Sequence, residues 1–125
     1  MYYKRGKYGN KKTPIDGHIF DSKKEAERYI QLRAMQKQGD ISGLELQKKF
    51  ILIPTQREPD IIGPRGGRKP GELIFPEISY IADFVYYDER SKGFVVEDVK
   101  GYRTDVYKLK KAMMYWIHGI KVREV

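Results

Sequence analysis

Residues 78–87 read ISYIADFVYY and residues 93–99 read GFVVEDV, two runs rich in β-branched and aromatic side chains and separated by the polar segment DERSK. Runs of this kind bounded by turn residues are strands, and these two are the best candidates for the middle of a sheet. If the hairpin closes with Asp88 opposite Gly93 across a four-residue loop, paired positions add to 181 and Asp83 lies directly opposite Asp98. Residues so placed have Cβ atoms about 4.5–5.5 Å apart, and like charges there are destabilising. Two carboxylates set among Ile81, Phe84, Val85, Val96 and Val99 therefore need compensation. A divalent cation supplies it, since proteins usually hold magnesium on one or two carboxylates and leave the other positions to water. Lys100 follows Asp98 by two residues, so the strand period sets both side chains on one face. Glu97 falls on the opposite face as a structural or salt-bridging residue, and a one-residue slip would set it opposite Asp83 without bringing it to the face of Lys100.

The flanking segments predict what surrounds that hairpin. Residues 1–12, MYYKRGKYGNKK, set Lys4, Arg5, Lys7, Lys11 and Lys12 among tyrosines. They read as a flexible basic arm that orders on a phosphate backbone with its rings on bases, or as a solubilising tail. IDGHIF at 15–20 holds an Asp-Gly turn signal, for a small hairpin or an extended lead-in. Ser22 opens a helix with Glu25 at the capping-box position. In that helix Ala26, Ile30 and Ala34, joined by Tyr29 and Arg33, form the packing side, Lys23, Lys24, Arg28 and Lys37 stay wet, and Gly39 stops the helix after Gln38. ISGLELQKKFILIP at 41–54 is one strand or a bent strand pair. The proline- and glycine-rich stretch at about 55–77 is a long hairpin tip or flap that offers Arg65, Arg68 and Lys69 to DNA. Asp105 is the expected N-cap of a second helix ending at His118, where Val106, Leu109, Met113, Trp116 and Ile117 recur at steps of three and four and Trp116 is assigned to the core. IKVREV supplies a last strand. The order helix, strands, helix, strand is an α/β arrangement, a sheet flanked by helices in a single domain over 13–125.

Composition narrows the chemistry. With no cysteine there is no disulfide scaffold, thiolate zinc site or thiol nucleophile. His18 and His118 stand far apart in the sequence, so a multi-histidine site is excluded and any metal must be a hard cation on oxygen ligands. The net charge of +8 points to a polyanionic partner, because neutralised phosphates release condensed counterions. Past Lys100, a basic path runs through Tyr102, Arg103, Lys108, Lys110 and Lys111, in which Arg103 and Lys108 are taken as phosphate contacts. No apolar run approaches the ~18 residues of a membrane span, and the basic N-terminus lacks a secretory apolar stretch. A cytoplasmic protein without a membrane partner is expected.

YIADF at 80–84 and VEDVKG at 96–101, preceded by SKKEAERY at 22–29, resemble the motifs of the PD-(D/E)XK nuclease superfamily. The resemblance runs from about residue 8 to residue 125 and is nearest to the small phage-encoded endonucleases, some of which are similar to Holliday junction resolvases. It implies a restriction-endonuclease-like mixed sheet and hydrolysis of DNA phosphodiesters with Mg2+, or Mn2+ in its place, leaving 5′-phosphate and 3′-hydroxyl ends. Asp83 and Asp98 correspond to the metal ligands, Lys100 to the motif lysine, and Glu25 to the glutamate of the first helix. Ala82 stands where the motif has proline, a small departure because the carboxylate is the ligand. Glu25 has a second reading as a capping-box partner of Ser22. Gln47 either lines the same site or is an edge-strand polar residue. A phage function in DNA recombination, replication or packaging inside a bacterial host, with branched or four-way junction DNA as a candidate substrate, follows from the resemblance, and cutting two strands calls for a homodimer. Two other readings stand beside it: a non-catalytic DNA-binding protein on the same fold, and an RNA-binding basic protein with Tyr2, Tyr3 and Tyr8 stacked on bases.

Overall fold

The computed structural model describes residues 13–99 and 103–125. Residues 1–12 and Lys100 to Tyr102, hence the basic arm and the motif lysine, lie outside the described residues. In chain order come β1 (Thr13–Ile15), β2 (His18–Phe20), α1 (Lys23–Gln38), β3 (Ile41–Ile53), β4 (Gln56–Arg57), β5 (Ile61–Ile62), β6 (Arg68–Lys69), β7 (Leu73–Phe75), β8 (Ile78–Asp88), β9 (Gly93–Asp98), α2 (Asp105–His118) and β10 (Arg123–Glu124). A four-stranded sheet has the order β10-β9-β8-β3; β8 and β9 are antiparallel and β10 is parallel to β9. This is the expected mixed α/β fold with two helices.

The register of the β8–β9 hairpin is set at its turn. Asp88 pairs with Gly93, and the ladder runs unbroken to Phe84 opposite Glu97. The Asp88 carboxylate accepts from Arg90 N at 3.0 Å, its carbonyl accepts from Lys92 N at 2.9 Å, and Lys92 takes a left-handed φ of 59° to close the loop. At the other hairpin, Asp16 and Gly17 supply the two positive φ angles, 51° and 78°, that turn β1 back onto β2.

The chain divides into two compact units. The first gathers β1, β2, α1, β3 up to Lys48, β8 from Ala82, β9 and β10. Its core is Phe20, Ala26, Tyr29, Leu32, Ile41, Phe84, Tyr86 and Val95, with the Phe20 and Tyr29 rings 5.0 Å apart and Tyr29 stacked on Phe84. Helix α1 begins where Ser22 Oγ accepts from Glu25 N at 3.1 Å and ends on Gly39 at φ 87°, as its sequence predicts. Its packing side differs from the expected one. Glu25, Ala26, Tyr29 and Leu32 are buried, while Ile30 and Ala34 face outward. Both stripes pass through Ala26 and Tyr29; with the Tyr29 ring set on Phe20 and Phe84, Leu32 turns inward in place of Ile30 and Ala34. Arg28, expected in water, is partly buried instead.

The second unit holds Lys49–Ile81 and Thr104–Lys121. The stretch expected as a flap is an ordered ribbon in which β4 pairs with β7 and β5 with β6. Gly71 is required in it, since a Cβ there would collide with the carbonyls of Glu58 and Pro59. Thr104 rather than Asp105 caps α2, its Oγ1 accepting from Tyr107 N at 3.0 Å, because the cap must precede the first helical residue. At the other end of α2, the His118 ring lies on Phe50 and its Nε2 is 2.8 Å from the Ile51 carbonyl oxygen. The helix buries Tyr107 and Met114, and Trp116 is 88% exposed, so its assignment to the core is overturned. Periodicity marks an apolar stripe but does not say whether this chain covers it. No helix among the described residues is long and apolar enough to cross a membrane.

Candidate active site

Alternation along the hairpin sorts its side chains. Phe84, Tyr86, Val95 and Glu97 share the face on which α1 packs, and Asp83, Val85, Val96 and Asp98 fall on the other. Asp83, one residue before Phe84, and Asp98, one after Glu97, stand just past the end of that ladder, close enough for Asp98 to raise the Asp83 pKa through a side-chain hydrogen bond. Asp98 is 1% exposed. Asp83 Oδ2 also accepts from Val99 N at 2.8 Å. Burial, opposed by that amide and reinforced by Asp98 and the charge of Glu25, pushes the Asp83 carboxyl up to about 7.

A third strand and the first helix complete the cluster. Gln47 Nε2 donates to Glu25 Oε1 at 3.0 Å and to Asp83 Oδ1 at 3.4 Å. Glu25, in the first turn of α1, is buried, and its carboxylate is turned to Gln47. Gln47 itself sits within β3 at φ 53°, a left-handed conformation that costs a non-glycine residue about 1–2 kcal/mol. Irregular strand residues of this kind re-aim a side chain, and such strain gathers at functional sites. Glu25 and Gln47 are therefore placed beside Asp83.

Glu97 serves a different purpose on the opposite face. It is fully buried and accepts from Arg28 Nε at 2.8 Å and Nη2 at 2.7 Å, a two-pronged contact, and from the Tyr86 hydroxyl. Glu97 raises the Arg28 pKa, and burial together with Glu97 pushes the Tyr86 hydroxyl up to about 12. The salt-bridging role expected of Glu97 is thus observed. Its partners were missed by sequence reasoning: Arg28 is 69 residues away, and only the fold brings it there. The contact ties α1, which carries Glu25, to β9, which carries Asp98.

The remaining residues are distributed. Lys100 and Lys4, Arg5, Lys7, Lys11 and Lys12 lie outside the described residues. Arg103 pairs with Glu124 at 2.9 Å. Arg65, Arg68 and Lys69 are exposed on the ribbon and Lys108 on α2, all in the second unit.

The cluster offers only oxygen donors to a metal, three carboxylates and the Gln47 side-chain carbonyl, a set that suits a hard divalent cation. Among the described residues, no three histidine or acidic side chains are drawn together tightly enough to cage an ion. That is compatible with magnesium, which is held through one or two carboxylates, with water and substrate phosphate completing its shell. Burial is the main reason that Asp83 retains a proton near neutrality, and Asp98 and the charge of Glu25 add to it.

No curated protein and no solved structure matches the chain. One family profile does, over residues 5–123, nearly the whole length, and its description is that of a protein of unknown function. The match takes in both strands of the acidic hairpin, the helix of Glu25 and the strand of Gln47, and the chain therefore belongs to the DUF1064 family.

Proposed function

We propose that this protein is a Mg2+-dependent endodeoxyribonuclease that hydrolyses phosphodiester bonds, with branched or four-way junction DNA in phage recombination, replication or packaging as its setting. One observation carries the reading: Glu25 and Asp83 share the Gln47 amide, and Asp83 lies against Asp98, so carboxylates from a helix and two strands are held close in a chain of net charge +8. Such a cluster is costly unless a cation and a polyanion use it.

In this reading Asp83 and Asp98 hold the metal, with Glu25 as the further carboxylate. When bound, Mg2+ supplies Lewis acidity toward a phosphoryl oxygen and toward water. Gln47 holds Glu25 and Asp83 in register through its two donated hydrogen bonds. The Val99 amide fixes the second oxygen of Asp83, so the carboxyl plane is set before substrate arrives. Lys100, two residues past Asp98 in the sequence, supplies the positive charge that steadies negative charge developing on the phosphate. The basic arm, Arg65, Arg68, Lys69 and Lys108 contribute to DNA affinity, and a homodimer provides the two sites that cutting both strands needs.

The test is a panel of linear, nicked, flapped and four-way DNA incubated with the purified protein in Mg2+ and in Mn2+, with Asp98→Ala as the blank. Cleavage by the wild type alone, with Asp98→Ala and Lys100→Ala still binding DNA in Ca2+, is the expected result. Absence of cleavage of every substrate in both metals would sink the proposal.

A further inference from the structure

The second unit is unusually apolar outside. Of the fifteen large hydrophobic side chains exposed among the described residues, twelve belong to it. On α2 they are ordered: Val106, Leu109, Met113 and Trp116 follow at intervals of three, four and three, the a/d spacing of two heptads. Tyr107 and Met114, the buried residues of α2, lie on another side of the helix. Val106, Leu109 and Trp116 are 60%, 63% and 88% exposed.

We propose that this stripe is the surface by which two copies of the chain associate, their α2 helices side by side and parallel about a twofold axis. Heptad spacing is self-complementary: the same knobs and holes occur on both helices, which is what a twofold contact requires. The flanking charges choose the parallel arrangement. With Val106 at an a position, Asp105 falls at g and Lys110 at the following e. Across a parallel pair those two positions face each other, so Asp105 of each copy meets the partner's Lys110, twice by symmetry. An antiparallel pairing sets g against g and e against e, and offers Asp105 only Ala112. The exposed side chains present about 400–500 Å2 of apolar area per chain, as much as the largest patch of an ordinary monomer. Doubled, that is close to 1,000 Å2, the lower edge of specific interfaces, so the dimer is concentration-dependent rather than obligate.

Sedimentation equilibrium of the full chain from about 1 to about 100 μM tests this. The mass is expected to climb from 14.7 kDa toward 29.4 kDa, twice the chain mass. Leu109→Glu and Trp116→Glu, both at exposed positions, are expected to hold it at the monomer value with circular dichroism unchanged. Asp105→Lys and Lys110→Asp are each expected to weaken association about three- to tenfold, and their combination to restore it. A monomer throughout that range, or a dimer indifferent to Leu109→Glu and Trp116→Glu, overturns the proposal. So does a stripe whose glutamate variants change DNA binding and leave the mass alone, which would make it a nucleic-acid face. A double charge exchange that fails to restore association overturns the parallel arrangement. None of these readouts depends on cleavage, so the proposal and the nuclease reading fail separately.

Discussion

Asp83 carries the clearest chemical signature in the molecule. Its pKa stands at about 7 in the folded chain against 3.8 for an ordinary aspartate, chiefly through burial. Below 3.8 the carboxyl is protonated whether the chain is folded or not. Between there and about 7 the unfolded chain has released a proton that the native one keeps, so stability falls as pH rises, and above 7 the loss is complete. Without divalent cations, thermal unfolding followed by calorimetry should therefore show a midpoint that declines from pH 4 to pH 7.5. Asp83→Asn should flatten the decline and be more stable than wild type at pH 8 by on the order of 2 kcal/mol. An asparagine variant with the wild-type slope would refute the assignment. Gln47 allows a second test at this scale. Gln47→Gly relieves a left-handed φ and removes the amide that joins Glu25 to Asp83. Urea unfolding should show a gain of about 1 kcal/mol and, on the proposed nuclease reading, a loss of cleavage, the trade expected where strain serves a site; a stability loss instead would mean that the hydrogen bonds outweigh the strain. The aspartate pair was legible in the sequence because strand spacing and a polar turn fix the register of a hairpin. The backbone of Gln47 was not, since nothing in a glutamine announces a positive φ.

Between elements, the Arg28–Glu97 contact joins α1 to β9 through a carboxylate with no solvent exposure. Removing one partner of a buried pair leaves a desolvated charge, so Arg28→Ala or Glu97→Ala should each cost about 3–5 kcal/mol in denaturant unfolding. Arg28→Met combined with Glu97→Met should recover much of that, because a well-packed apolar pair avoids the desolvation; additive losses in that double-mutant cycle would mean the two side chains do not act as a unit. Helix ends were readable from Ser22, Gly39 and Gly119, where capping chemistry is local. Helix faces were less so. The α1 sequence fits two stripes, and the choice rests on Phe20 and Phe84, which a reading confined to the helix does not contain. On α2 the apolar stripe was found correctly and assigned wrongly, since amphipathicity defines a surface without defining its occupant.

For the molecule as a whole, the proposed DNA affinity would, with a net charge of +8, be a function of salt. Each phosphate neutralised contributes about −0.9 to the slope of log K against log salt. Replacing Arg65, Arg68 and Lys69 together by alanine should make that slope shallower by about 2 to 3 if the ribbon tip tracks the backbone, measured by fluorescence anisotropy in Ca2+. An unchanged slope would remove the tip from the DNA path. The topology holds one more consequence. Strand β10 pairs with the outer edge of β9, Arg123 beside Glu97 and Glu124 beside Asp98, and Val125 N donates to the Asp98 carbonyl at 3.1 Å. That closure spans the whole of α2, so a chain made from its N-terminus leaves the outer edge of β9 open until α2 and β10 have been added. A fragment ending at Gly119 would hold Glu25, Gln47, Asp83 and Asp98 yet leave the Asp98 strand without its outer neighbour. The strand that carries Asp98 would then gain a neighbour on both edges only once that far segment is in place.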